Sequence, residues 1–119
     1  MDKIISWVEI PAANFERAVE FYSTILNINL QIINGNEEKM ACFPSGEGAI
    51  SYAPGFNPGT DGTLVSLNAA DKLEQTLSAI TQNGGAVIQP KTKIEAEGRG
   101  YFAIFMDSEG NKVGLYGNQ

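Results

Sequence analysis

The chain has no histidine and one cysteine among its 119 residues. The Ser-His-Asp triad, the Cys-His dyad and every His-ligated zinc site are therefore excluded. A single thiol also excludes an intramolecular disulfide and a thiolate zinc cluster. What remains is chemistry by carboxylate, tyrosine, lysine or arginine, a carboxylate-only metal site, or binding alone. The first constellation of interest is Trp7 with Glu9. They stand two residues apart in IISWVEI, a stretch rich in β-branched and aromatic residues, so they project from one face of a strand. A carboxylate beside an indole can act as a general base with a raised pKa, or hold a cation against the ring. The alternatives are a solvated strand-end carboxylate and a tryptophan that only fills core.

Other candidates are weaker. In EGRGY, Arg99 lies between two glycines and two residues before Tyr101, a pair able to clamp a carboxylate or phosphate; a solvated loop charge is the competing reading. Cys42 has no histidine or basic cluster nearby to make its thiol reactive, so it reads as a buried, inert side chain. Residues 107–111, DSEGN, mimic part of a calcium loop but lack its further acidic positions and its later glutamate, so they read as a hairpin turn.

The elements that must position these groups follow from periodicity. Residues 4–10 form a strand with Ser6, Val8 and Ile10 on one face and Ile5, Trp7 and Glu9 on the other. Asn14 caps a helix whose apolar face carries Phe15, Ala18, Val19, Tyr22, Ile25 and Leu26, and Asn27 ends it in the left-handed region. Strands over 29–33, 39–43 and 49–53 come next, separated by turn-forming NGNEE and PSGEG. Residues 54–62, PGFNPGTDG, hold five glycines or prolines in nine positions and read as a linker. The plan then repeats. A strand over 63–68 leads to a helix starting at Asp71, with Glu74 completing a capping box and Asn83-Gly84-Gly85 ending it. Strands over 86–89, 101–106 and 112–116 follow. MACFPSGEGAISY also lines up with AIFMDSEGNKVGLY, which suggests duplication. The fold class is α+β: tandem βαβββ modules, 1–56 and 61–119, forming one domain with a curled mixed sheet.

Charge bounds the partners. Fourteen acidic against eight basic residues leave −6, the wrong sign for a phosphate backbone or an anionic membrane. No stretch approaches the ~20 apolar residues of a membrane helix, and the opening is too short for a secretory signal, so the expected location is cytoplasmic.

Three stretches in order resemble one family. IPAANFERAVEFYSTIL resembles the opening of the glyoxalase/bleomycin-resistance/dioxygenase proteins, the vicinal oxygen chelate superfamily, and GRGYFAIFMDSEGNKVGLYG resembles their closing hairpin. The duplicated strand-helix-strand-strand-strand plan between them covers the whole chain. The resemblance implies a cleft formed by two curled sheets, a homodimer, and in the metal-dependent members one divalent ion held by two residues from each module. Carried over, those four positions fall on Trp7, near Ser51, within 63–65 and on Gly114. Tryptophan and glycine offer no ligating side chain and serine or threonine a poor one, so no metal and no other cofactor is expected. Gly-Leu-Tyr in the closing strand is similar to a subgroup mostly of unknown function. By its family position Ser51 faces the cleft as a hydrogen-bond donor, and the loop of Arg99 borders it. The resulting expectation is a metal-independent protein binding a small organic ligand among Trp7, Glu9, Ser51, Arg99 and Tyr101. The alternatives are sequestration of a cationic drug, a metal-free lyase or isomerase with Glu9 as base, and a non-catalytic partner-binding module.

Overall fold

The computed structural model describes residues 3–119; the first two residues of the module read as 1–56 lie outside it. The order is β1 (Val8–Pro11), α1 (Phe15–Leu26), β2 (Gln31–Asn34), β3 (Lys39–Cys42) and β4 (Gly48–Tyr52). Then come β5 (Ser66–Ala70), α2 (Leu73–Gln82), β6 (Ala86–Lys93), β7 (Tyr101–Met106) and β8 (Lys112–Gly117). Each half closes its own four-stranded mixed sheet, ordered β1-β4-β3-β2 and β5-β8-β7-β6, with the first strand parallel to the last. The architecture is α+β, and none of the helices is long and apolar enough to cross a membrane among the described residues.

Helix α1 begins as its sequence dictates. Asn14 is extended and its Oδ1 accepts the Arg17 backbone N–H at 3.0 Å, while Asn27 closes the other end at φ 53°, ψ 53°. Its buried face is wider than the spacing suggests, because Phe21 joins Phe15, Ala18, Tyr22 and Ile25. Phe21 reaches across to Phe105 of β7, with ring centroids 6.3 Å apart, so α1 packs on both halves. Ile10, Ala41 and Ile50 of the first sheet, Ala103, Phe105 and Leu115 of the second, and Leu73 and Ile80 of α2 complete one continuous core.

Several boundaries depart from the sequence reading for identifiable reasons. The first strand starts at Val8, not at residue 4, because its partner β4 starts at Gly48, opposite Val8; Ile4 is left 92% exposed. The strand expected over 63–68 runs from Ser66, opposite Gly114, and ends in a bulge with Ala70 at φ 51°. That bend moves the helix start as well. Lys72 rather than Asp71 stands at the cap, without a side-chain bond, and the expected capping box does not form. Strand β6 continues through Pro90 to Lys93. It is an edge strand, where a missing N–H is tolerated, and two register irregularities absorb the proline.

The halves are locked together by the turn after β7. Asp107, 3% exposed, accepts four hydrogen bonds: from the Tyr22 hydroxyl at 2.6 Å, the Glu109 and Asn111 backbone N–H groups at 2.8 Å each, and Asn111 Nδ2 at 2.9 Å. Asn111 Nδ2 also donates to the Pro11 carbonyl at 2.7 Å, which ties β8 to β1. Outside this knot, Glu109 takes both Arg17 nitrogens, at 2.6 and 3.1 Å, and the Asn14 N–H at 2.6 Å. Burial alone would raise the Glu109 carboxyl, but the bonds from Arg17, Asn14 and Ser108 outweigh it and hold it below the usual carboxylate range.

Tyr22 is fully buried, and burial, reinforced by the Asp107 charge and hydrogen bond, pushes its phenol well above the usual value near 10. A raised folded-state pKa means that its contribution is fully present below the unfolded value and is lost as pH rises through the folded one. Tyr22→Phe is therefore expected to cost about 1–3 kcal/mol at neutral pH, measured by urea unfolding. It should also remove the part of the alkaline tyrosine absorbance change that coincides with unfolding. An unchanged urea midpoint would show that the bond contributes nothing.

Candidate functional site

In β1 Ile10 enters the core and Glu9 is exposed; Glu9 and Trp7, the residue just before the strand, border an open cleft of about 440 Å³, which Val8 and Pro11 also line. Trp7 is 41% exposed, so its indole is a half-open surface and not a core plug. Glu9 is exposed, and its Oε1 accepts the Ser51 hydroxyl at 2.7 Å. Ser51 is 3% exposed and stands behind Glu9, off the cleft wall, where it fixes the carboxylate. Glu9 Oε2 accepts no bond from the described residues.

The opposite wall comes from the stretch read as a linker. Gly59 N–H donates to Asn111 Oδ1 at 3.2 Å, which docks this segment against the start of β8 and brings Phe56, 38% exposed, into the cleft with Val65. Lys112, the first residue of β8, completes the lining. Phe56 and Lys112 were missed by sequence reasoning. The signal for Phe56 was an aromatic side chain inside a glycine- and proline-rich run; Lys112 had none.

Arg99 and Tyr101 are not brought to this cleft. Tyr101 shares a strand face with Ala103 and Phe105 and packs against the core, with Lys91 Nζ 4.6 Å from its ring centroid. Arg99 is exposed on the loop pinched by the Ile94 N–H to Gly100 carbonyl bond of 2.9 Å. The two line a separate hollow with Lys93 and Tyr116. Their spacing in sequence carried no information on which side of the sheet the loop folds. Cys42 is half-buried rather than buried, on the β3 face opposite Ala41.

The positions carried over for a metal do not fit one. Ala41 opposite Ile50 and Ala103 opposite Leu115 are equivalent, fully buried pairs, so Gly114 corresponds to Ala49, two residues before Ser51 on the same face. The donor set is then an indole, a methyl or hydroxyl, residues 63–65 and a glycine. Among the described residues no group of three His, Cys, Asp or Glu is placed to hold an ion. At Gly114 the space for a side chain is closed as well: a Cβ there would collide with Ser66 Oγ and lie 3.2 Å from Ser66 Cβ.

The comparisons agree with the fold. The family model described as Glyoxalase/Bleomycin resistance protein/Dioxygenase superfamily matches residues 4–115. No curated protein matches the sequence. A glyoxalase/bleomycin resistance protein from Albidiferax ferrireducens T118 superposes with a TM-score of 0.73 at 17% identity, covering 98% of this chain and 100% of that one. The fosfomycin resistance protein FosX from Mesorhizobium loti gives 0.67 at 11% identity, covering 100% and 94%. A point mutant of glyoxalase I from Zea mays gives 0.64 at 17% identity, with 94% of this chain matching 45% of a longer one. At these identities the likeness is one of fold.

The Ser66–Gly114 contact is testable. Gly114→Ala is expected to destabilise by about 1–3 kcal/mol through overpacking, and a Ser66→Gly background should recover most of it in a double-mutant cycle. Additive effects in urea unfolding would mean that Ser66 does not close the position.

Proposed function

The chain belongs to the glyoxalase/bleomycin resistance protein/dioxygenase superfamily, and on that premise we propose that it binds a small organic ligand, without a divalent metal, in the cleft between β1 and the 56–65 segment. The observation that carries this reading is the half-exposed indole of Trp7 on the same wall as the Glu9 carboxylate, with the Phe56 ring on that cleft too. Aromatic surface supplies apolar contact area at low conformational cost, and a few placed polar groups set orientation. Ser51 holds the carboxylate in one rotamer, so its geometry is fixed before a ligand arrives.

The protein works as a homodimer in this reading. Outer strands β2 and β6 leave Ile32, Ile33, Val87 and Ile88 exposed, a pattern that a monomer leaves open to edge pairing. A second reading, catalysis as a metal-free lyase or isomerase, is favoured by the Ser51 bond. That bond leaves Glu9 Oε2 free to take a substrate proton.

Native mass spectrometry of the untagged protein tests the binding reading. The expected spectrum is a dimer carrying an organic mass and no stoichiometric metal, with Trp7 emission changing when that compound is titrated back. A metal ion retained through desalting would overturn the metal-free reading. A bare protein whose emission ignores a small-molecule panel would overturn binding. Catalysis is separated by Glu9→Gln, which should abolish turnover of the identified compound while leaving its Tm unchanged; equal turnover would reject Glu9 as base.

A further inference from the structure

Two opposite charges line the cleft without meeting. Glu9 on β1 and Lys112 on β8 both border it and both are exposed, yet the ion pairs among the described residues are Arg17 with Glu109 and Lys39 with Glu16. A carboxylate and an ammonium that form no ion pair with the described residues each keep a hydration shell that a complementary ligand group can replace.

The strands that carry them are held together by bonds that no ligand can borrow. Asn111, next to Lys112, has its side chain committed: Nδ2 donates to the Pro11 carbonyl and to Asp107, and Oδ1 accepts the Gly59 N–H. Pro11 lies two residues beyond Glu9 on the same strand face. The Asn111 side chain thus ties the start of β8, beside Lys112, to the end of the strand that carries Glu9, at 2.7 Å. Trp7 and Phe56 offer apolar surface beside them.

A ligand of one sign meets a repulsive group here. An organic cation gains Glu9 and opposes Lys112; an organic anion does the reverse. Net charge alone points to cations, but the local pair does not. We infer that the cleft selects a small molecule with an aromatic or apolar body bearing one cationic and one anionic group, its cation on Glu9 and its anion on Lys112. This rests on the cleft being the binding site, as proposed above.

Isothermal titration with three matched probes tests it: para-(aminomethyl)phenylacetic acid, which carries both charges, and benzylamine and phenylacetate, which carry one each. The doubly charged probe should bind at least ~10-fold tighter than either other, a difference of about 1.4 kcal/mol. Lys112→Gln should reduce it to the affinity of benzylamine, and Glu9→Gln to that of phenylacetate, both variants keeping the parent Tm. Equal affinities for the three probes, or a variant that keeps the full preference, would overturn the two-charge inference while leaving the cleft as a binding site. Absence of heat from all three would also overturn it, and the cleft would then be judged on the co-purified mass alone.

Discussion

The buried carboxylate of Asp107 is the constraint on which the rest depends. A charge removed from water needs its lone pairs filled, and here four donors do so, one of them the Tyr22 hydroxyl from the other half of the chain. Breaking any part leaves an uncompensated polar atom, so the turn after β7 holds only when α1 and β1 are in place. No buried side-chain nitrogen or oxygen among the described residues lacks a partner. The Arg17–Glu109 pair lies at the rim of this knot, with Arg17 half in water, and directs the approach of α1 more than it anchors it. The five residues that mimic a calcium loop are in fact a clasp between the two halves, with the Tyr22 hydroxyl and the Asn111 amide donating hydrogen bonds to the Asp107 carboxylate.

The clasp also explains why the halves, alike in plan, differ in use. In the first half the hairpin between β3 and β4 closes on itself, Phe43 N–H to the Gly48 carbonyl, and among the described residues no side-chain hydrogen bond joins it to the second half. In the second half the equivalent turn bonds to Pro11, Tyr22 and Asn14. A duplicated fold thus becomes one unit through one copy of its turn, and the cleft forms where that copy pins the start of β8 against the end of β1.

Much of this was legible in the sequence because it is local. Asn14 and Asn27 bound α1 by cap chemistry that involves three or four neighbouring residues, and the glycines of DSEGN and of Asn83-Gly84-Gly85 mark turns that need φ > 0. The misplaced elements depend on partners distant in sequence. The start of β1 is set by Gly48 and that of β5 by Gly114, and no periodicity in residues 4–7 or 63–65 reports that register. Asp71 was a sound cap by local rules and lost its place to the bulge at Ala70. For the site, period-two alternation put Trp7 and Glu9 on one side of the first strand, whereas Ser51, expected in the cleft from its family position, stands behind Glu9 because its pairing in β4 buries it; Phe56 was not legible because a docked irregular segment has no period, nor Lys112 because what β8 faces is set by a segment distant in sequence.

The residues at the four positions carried over for an ion offer no ligand set that fits one, and in the proposed reading the cleft works by other contacts. Chemistry at an ion concentrates binding in a single strong, directional centre, and its loss must be offset by area and by several weaker contacts. Here the position of the last ligand is filled by packing against Ser66, and that of the first by an indole that faces the cleft. An unfilled ligand position would leave a polar hollow that takes up water. The cleft at β1 is lined by the rings of Trp7 and Phe56 and by the charges of Glu9 and Lys112, which do not pair with each other. The Asn111–Pro11 bond holds the start of β8 against the end of β1, so the strands that carry those charges are arranged before any ligand arrives, and in the proposed reading specificity rests on two side chains in place of the coordination geometry of an ion.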